Sequence, residues 1–437
     1  MKEQVSENTV CAACGSLCDD LAVRAGKTIT ATVPGNGSTT CDLAERCGRG
    51  AAWLNTLAPL EPEFFFSGKP TRQDSALARA ADLISSAQAP AVVGLGELTS
   101  EAITQAIALA SASRALLLPE PPAPYAADRA GLEAPHAKIS WGTVQAEADL
   151  VLFWFTRPDD THPRFVERFL RSPLLRGGHR RVVLLETDAS DKSASDGPAQ
   201  ANLSPGADLE RIQVAGTDDE HDLARALFTR LVSQEPNKTP TPGSGSLDRL
   251  LEALQEANRI HVFLSIESAR DRQLWNLFQR LGARSRIQLT ASVLPPKGNG
   301  AAIEATLALS HRVVGPTLFQ ADGPVPLGGH VTLASALKER FTDLVVCAGL
   351  DSQLLDDETR AALSGSPRIV FSPTLDPTAD VTVRIPGLDP RLAASVVRED
   401  GIWLTLSGSS PGVPDPAVGL LAALRSAVEA KQGNTRP

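Results

Sequence analysis

Apolar positions along this chain recur in two rhythms. From Thr71, "TRQDSALARAADLISSA" sets Leu77, Ala80, Ala81 and Ile84 at helical spacing, and the apolar run "PAVVGLG" follows at Pro90. The alternation continues with a helix-compatible "SEAITQAIALASAS", a strand-like "RALLLP", then "ADLVLFWF" from Ala148 and "RRVVLLET" from Arg180. Short unbroken runs of Val, Leu and Ile between helical stretches predict strands of parallel sheets covered on both faces. The predicted fold class is α/β, with doubly wound, mostly parallel sheets.

At Ser233 to Ser246 the pattern stops. "SQEPNKTPTPGSGS" offers nothing able to pack, which predicts a domain junction or a long surface loop. Beyond it come a helix around "LDRLLEALQEA" and strands at "RIHVFLSI" (Arg259), "DLVVCAGL" (Asp343), "RIVFSP" (Arg368) and "VTVRIP" (Val381). The 437 residues suffice for two or three domains with well-buried cores.

Charge narrows the function classes. With 51 acidic and 42 basic side chains the net charge is -9, which disfavours a broad electrostatic grip on nucleic acid or an anionic membrane. The two most basic stretches, "LRGGHRR" near Arg176 and "RDRQLWNLFQRLGARSR" from Arg270, are interrupted by apolar and small residues and read as solvated or ion-paired surface. The five tryptophans and lone tyrosine are scattered, so no stacking platform for bases is visible. No apolar run reaches the roughly 18 residues of a membrane span, and "MKEQVSENTV" lacks the apolar segment of a secretory signal. A cytoplasmic protein is expected.

Cysteine placement changes the picture. Cys11, Cys14, Cys18, Cys41 and Cys47 fall in the first fifty residues, and only Cys347 lies beyond them. In a reducing compartment such crowding argues for metal or cluster ligation over disulfides. A turn carrying C-x2-C-x3-C aims three soft ligands at one centre while a distant cysteine closes the set. Cys41 follows Cys18 after 22 intervening residues and Cys47 after 28; the latter opens "CGRGAAW", with a glycine three positions on. Cys11, Cys14, Cys18 and Cys47 are therefore the candidate metal ligands. A 4Fe-4S cluster, zinc held by four of the five head thiols, and an empty site all remain open, with Cys41 able to replace Cys47 in the zinc case. Cys347, inside an apolar strand, reads as a small buried hydrophobe.

That spacing resembles the N-terminal 4Fe-4S segment of the molybdopterin oxidoreductase superfamily, and "CDD" at Cys18 to Asp20 looks most like the B subunit of formylmethanofuran dehydrogenase. "ADLVLFWFTRPDDTHPR" is similar to the family's strand ending in a His-Pro-Arg loop, here His162, Pro163 and Arg164, and "RRVVLLETDASDKSASDGPAQANLSPGAD" to its next strand, loop and turn. The resemblance implies formate dehydrogenase/DMSO reductase-like domains in two lobes plus a small cysteine-rich N-terminal lobe. On that basis residues 1–58 form the head, 59–131 the first part of one α/β lobe, 132–246 a second lobe inserted into it, and 247–437 the remainder of the first. Two lobes in line fit the periodicity equally well.

Redox members of the superfamily hold molybdenum or tungsten through pterins plus a cysteine or selenocysteine after the second strand. Here that zone reads "ALLLPEPPAPYAADRAG", and no cysteine occurs between Cys47 and Cys347. Residue type leaves Asp128 open as a ligand. Pro119, Pro121, Pro122 and Pro124, however, remove four amide donors from the loop and argue against a molybdopterin site. This loss matches the B subunit of the formyltransferase/hydrolase complex of methylotrophic bacteria. The resemblance then implies a redox-dead, non-catalytic structural subunit. Its partners would be amidohydrolase-like A and C chains and a formyltransferase-like D chain, which convert formyl-tetrahydromethanopterin to formate through a methanofuran-like carrier. The rival is a true molybdenum- or tungsten-pterin formylmethanofuran dehydrogenase; a third reading is a thiol-based electron carrier.

Other polar and glycine-rich positions carry weaker signals. Asp19 and Asp20 follow the third thiol and read more readily as a turn or helix cap than as an acid/base pair. His162, with Arg164 as partner, sits where a strand's carboxyl end meets a loop, the usual address of ligands in open α/β sheets, and is the one functional candidate of the seven histidines. "GLGEL" at Gly94, "KGNGAA" at Lys297 and "GGH" at Gly328 to His330 could cradle phosphate, but none has the full spacing of a nucleotide fingerprint.

Overall fold

A computed structural model describes residues 4–25, 29–34, 40–120, 139–170, 172–187, 207–214, 220–233, 244–264, 288–294, 300–313, 315–327, 331–350, 355–398, 400–409 and 411–433. The chain divides into two compact units. Unit 1 comprises Met1–Glu133, Lys297–Arg398 and Ile402–Pro437, and unit 2 comprises Ala134–Pro296 with Glu399–Gly401. Among the described residues no helix is long and apolar enough to cross a membrane.

Unit 1 opens with a four-stranded antiparallel sheet, β1 (Gln4–Thr9), β2 (Leu21–Ala25), β3 (Ile29–Pro34) and β4 (Thr40–Asp42), in that order. Two short helices, Leu43–Arg46 and Gly48–Asn55, follow it. In β3 burial alternates, with Ala31 and Val33 turned into a small core beneath the helices, as a sheet covered on one face requires.

The rest of unit 1 is built on a nine-stranded sheet. Its strands are β5 (Glu63–Phe66), β6 (Lys69–Pro70), β7 (Pro90–Leu95), β8 (Leu116–Glu120), β14 (Thr317–Gln320), β15 (Gly323–Pro326), β16 (Leu344–Ala348), β17 (Arg368–Ser372) and β18 (Val381–Arg384). They lie in the order β15-β14-β8-β7-β16-β17-β18-β5-β6, with five parallel strands, β8 to β18, between antiparallel hairpins. All six residues of β7 are buried: Val92 and Leu95 face helices Gln73–Ser86, Ser100–Ala112, Gly300–His311 and Pro416–Gly433, while Ala91 and Val93 face Leu333–Lys338 and Asp357–Ser364. Both faces being covered is why these strands read as unbroken apolar runs. A two-stranded ribbon, β19 (Ser395–Val397) with β20 (Trp403–Thr405), completes the unit.

Unit 2 carries a wholly parallel sheet of β9 (Leu150–Trp154), β10 (Arg180–Thr187), β11 (Ala207–Val214), β12 (Arg259–Leu264) and β13 (Gln288–Val293), ordered β11-β10-β9-β12-β13. One face packs on helices Glu220–Ser233 and Ser244–Glu256, the other on helices Trp141–Glu147 and Phe165–Phe169, where Trp141, Phe153, Phe165, Phe169 and Phe263 form an edge-to-face aromatic core.

The return to the first lobe differs from the expected residue 247. Strand β12 pairs with β9 and β13 with β12, so residues 247–296 belong to unit 2. Of the two expectations for the polar stretch from Ser233, a domain junction or a long surface loop, its described ends do not fit the first: Ser233 closes one helix, Ser244 opens the next, and Leu223, Leu227, Leu250 and Leu254 bury into the same core. Residues 234–243 lie outside the described residues, as do Asp128, Pro121, Pro122, Pro124, Lys297 and the Gly328 to His330 segment.

Candidate functional site

The head buries four thiols. Between β1 and β2 the chain loops through Cys11, Cys14 and Cys18. The loop is closed by the Cys11 N–H donating to the Cys18 carbonyl at 2.8 Å and tightened by the Leu17 N–H on the Cys14 carbonyl at 3.3 Å. Cys47 arrives from the other side, where it ends one short helix and caps the next; its sulfur accepts the Gly50 N–H at 3.3 Å. All four are buried, each 6 or 7 % exposed. Cys41, in β4, is only half-buried.

Alternate faces of the thiol loop meet different neighbours. Cys11, Cys18 and Cys47 pack among Leu21, Val23, Leu43 and Leu54, whereas Val10, Ala12 and Leu17 pack on Leu388, Leu392 and Leu406. Leu17 adopts a left-handed conformation (φ 42°), which costs roughly 1–2 kcal/mol for such a residue and is offset by its complete burial. Residues after β20 clamp the loop's entry: the Val10 N–H donates to the Leu406 carbonyl at 3.2 Å, the Ser409 N–H to the Glu7 carbonyl at 2.9 Å, and the Ser6 hydroxyl to the Ser407 carbonyl.

Gly50 explains the glycine three positions after Cys47. A Cβ there would stand 3.4 Å from Cys11 Sγ, 3.5 Å from Cys47 Sγ and 3.2 Å from Leu43 Cδ2, so the missing side chain is what leaves room between the two sulfurs. Arg49, beside it, donates from Nε to the Ala13 carbonyl at 3.2 Å and ties the helix to the thiol loop. Burial pushes the Cys14 thiol above its ordinary range; the polar groups of nearby Ser16 and the Arg49 charge pull it back, and Cys47 adds to the rise.

Among the described residues no group of three or more His, Cys, Asp or Glu side chains is gathered as a single metal ion requires. Zinc, with bonds to sulfur of about 2.3 Å, would need the thiols drawn closer. A four-iron cluster takes each thiolate on a different iron and spreads them around a larger centre. The buried thiols and the vacant Cβ position at Gly50 leave room for that larger group between Cys11 and Cys47.

The other candidates fall elsewhere. Asp19 and Asp20 are half-buried ahead of β2, and no helix starts there for them to cap. His162 and Arg164 do follow β9, but both are buried and engaged within their own loop: His162 Nδ1 lies 2.7 Å from the Thr161 hydroxyl, and Arg164 Nη2 donates to Glu167 at 3.4 Å. In "GLGEL" the glycine serves a close approach, not a phosphate: a Cβ at Gly94 would stand 2.9 Å from Leu350 Cβ, and one at Gly349 would stand 2.6 Å from Leu98 Cγ. The described loops at the carboxyl ends of β7 and β16 are thus pressed against each other. Cys347 is buried in β16, where burial pushes its thiol up to about 12. In the "LRGGHRR" stretch, Arg180 donates to the Ala148 and Leu170 carbonyls and Arg181 pairs with Glu210 at 2.6 Å.

Sequence reasoning passes over Ser16 and the clamp at residues 406–409. The only signal for Ser16 is a hydroxyl inside a loop of otherwise small, apolar and thiol side chains. The clamp lies some four hundred residues from the loop it holds and leaves no local trace.

No family model matches this chain, and no curated protein does. A solved structure does: a chain of the formyltransferase/hydrolase complex (FhcABCD) from Methylorubrum extorquens, determined in complex with methylofuran, is similar over 85 % of this chain and 100 % of its own length, with 17 % identity and a TM-score of 0.66. At that identity the likeness establishes a shared fold.

Proposed function

We propose that this chain is a non-catalytic structural subunit of a formyltransferase/hydrolase complex. That assembly would convert formyl-tetrahydromethanopterin to formate through a methanofuran-like carrier in the cytoplasm. The observation that carries the reading is the fold shared with the whole of a chain from such a complex. Two features of this chain support a role without catalysis. No cysteine lies between Cys47 and Cys347 to ligate molybdenum or tungsten, and the described loops after β7 and β16, at the carboxyl ends where α/β sheets bind ligands, fill the space with Leu98 and Leu350. The partners in this reading are the amidohydrolase-like A and C and formyltransferase-like D chains. The head would hold a 4Fe-4S cluster on Cys11, Cys14, Cys18 and Cys47 as a structural element; bound zinc and an empty head are the other states the thiols allow.

Deletion of this chain should prevent the remaining subunits from assembling, read by size-exclusion chromatography of a tagged partner. Normal assembly and full formyl-transfer activity without it would overturn the scaffold role. Stoichiometric molybdenum or tungsten with pterin in the purified chain would make it a redox catalyst instead.

A further inference from the structure

Cys11, in the thiol loop, and Cys47, which caps helix Gly48–Asn55, reach one point. The position a Cβ would take at Gly50 lies 3.4 Å from the Cys11 sulfur and 3.5 Å from the Cys47 sulfur, so the glycine puts no side chain between them. Among the described residues no third side chain of metal-binding type is gathered with the two. The backbones that carry these sulfurs are held in place. The Cys11 N–H donates to the Cys18 carbonyl at 2.8 Å, the Cys47 N–H to the Leu43 carbonyl at 2.7 Å, and Arg49 Nε, just past Cys47, to the Ala13 carbonyl of the loop at 3.2 Å. Both side chains pack in one cluster with Leu43 and Leu54, where Cys11 is 6 % and Cys47 7 % exposed.

We propose that Cys11 and Cys47 are a dithiol–disulfide pair, closed in the metal-free chain by exchange with a small-molecule disulfide. One thiolate of the pair attacks the small disulfide, breaking its S–S bond and releasing a small thiolate; the other then attacks the protein sulfur of the mixed disulfide and releases the second. The two protein sulfurs are oxidised to one S–S bond, and the small disulfide is reduced to two thiols that carry away the two protons. Because the second protein thiol is already held beside the first, its attack is intramolecular and outruns attack by a free thiol. Gly50 supplies the room in which the sulfurs turn toward each other, since the bond needs them about 2.05 Å apart. The closed bridge ties the thiol loop to helix Gly48–Asn55 and leaves the head two thiols fewer until a reductant reopens it. None of this requires a metal in the head.

The test uses the full chain, stripped of metal by a chelator, incubated with glutathione disulfide, quenched in acid and alkylated, as wild type, Cys14→Ser, Cys47→Ser and Gly50→Ala. Wild type should lose two of its six thiols, regain both with dithiothreitol, and yield a cross-linked peptide that fragment-ion mass spectrometry assigns to Cys11 and Cys47. Cys14→Ser should close the same bridge. Cys47→Ser should stop at the mixed disulfide on Cys11. Gly50→Ala should close the bridge more slowly, by roughly tenfold or more, because its methyl overpacks the space the bridge takes. Six free thiols in oxidised wild type, a cross-link to Cys14, Cys18 or Cys41 in place of Cys11 to Cys47, or a Gly50→Ala chain that bridges at the wild-type rate would each overturn the proposal.

Discussion

Cys47 and Gly50 form a single device: the sulfur caps the helix that begins at Gly48 by accepting the Gly50 N–H at 3.3 Å, and the glycine's bare Cα leaves that sulfur and Cys11 Sγ facing one open point. Alanine at 50 separates the two roles. It is the better helix former by up to about 1 kcal/mol, and the three atoms nearest its methyl are the movable end of Leu43 and the two sulfurs, so the metal-free chain should be as stable as wild type. Its methyl occupies the space a cluster needs. Gly50→Ala should therefore hold markedly less iron after reconstitution, measured per chain by colorimetric assay. Full iron occupancy would show that the centre lies elsewhere.

The clamp on the thiol loop turns on Gly408. Its backbone is left-handed (φ 58°), and a Cβ there would run into the Glu7 carbonyl and the Asn8 backbone. Neither atom can swing aside as a side chain would. Gly408→Ala should cost at least about 2 kcal/mol from the conformation and the collision together, seen as a lower denaturation midpoint. The head thiols should also react faster with an aromatic disulfide reagent, because Val10 and Ser6 lose their partners at Leu406 and Ser407. Unchanged thiol kinetics would mean the clamp does not shield them.

The legible part of this fold is what each segment does by itself. Strands β7, β9 and β16 are unbroken apolar runs, β10, β12 and β17 are apolar runs with a few polar residues, and the helices from Gln73 and Ser100 carry their buried residues at helical spacing. What those runs do not carry is the identity of the neighbour. A parallel strand buried on both faces has the same composition in either sheet, so nothing in "RIHVFLSI" marks β12 for β9 rather than β7. The polar stretch at Ser233 reads as a border because its flanking helices share a core that only the tertiary fold brings together. The thiol set is legible because softness and spacing are local properties; its closure by residues 388–409 is not.

Asp389 is fully buried and takes Arg391 on both oxygens, at 2.8 Å from Nε and 2.5 Å from Nη2, while the same Nη2 reaches the Ala58 carbonyl at 2.8 Å. The pair anchors the segment whose Leu388 and Leu392 face the thiol loop. Asp389→Ala strands the guanidinium, an error worth about 3–5 kcal/mol at a buried pair, discounted here because Arg391 is partly exposed. A loss of roughly 2–3 kcal/mol is expected by chemical denaturation. Replacing both residues, as Asp389→Ala with Arg391→Met, should recover part of it. A double variant as unstable as the sum of the singles would show the two side chains act independently.

His261 supplies a pH dependence confined to unit 2. It lies in β12, 1 % exposed, with Nδ1 2.7 Å from the Thr290 hydroxyl, its ring against Phe263 and Nε2 without a partner among the described residues, and burial pushes its pKa down to about 3. The unfolded imidazole takes up a proton near pH 6.5 and the folded one only near pH 3, so between those values the unfolded chain binds more protons. Stability contributed by the neutral ring is complete above about pH 6.5 and falls as pH drops through the window, by up to about 1.4 kcal/mol per unit. His261→Gln keeps a polar group for Thr290 and removes the titration. It should flatten the loss of stability between about pH 6.5 and about pH 4 in denaturation followed by Trp141 and Trp154 fluorescence, both tryptophans lying in the cores of that unit. An acid transition of unchanged steepness in His261→Gln would assign the dependence to other groups.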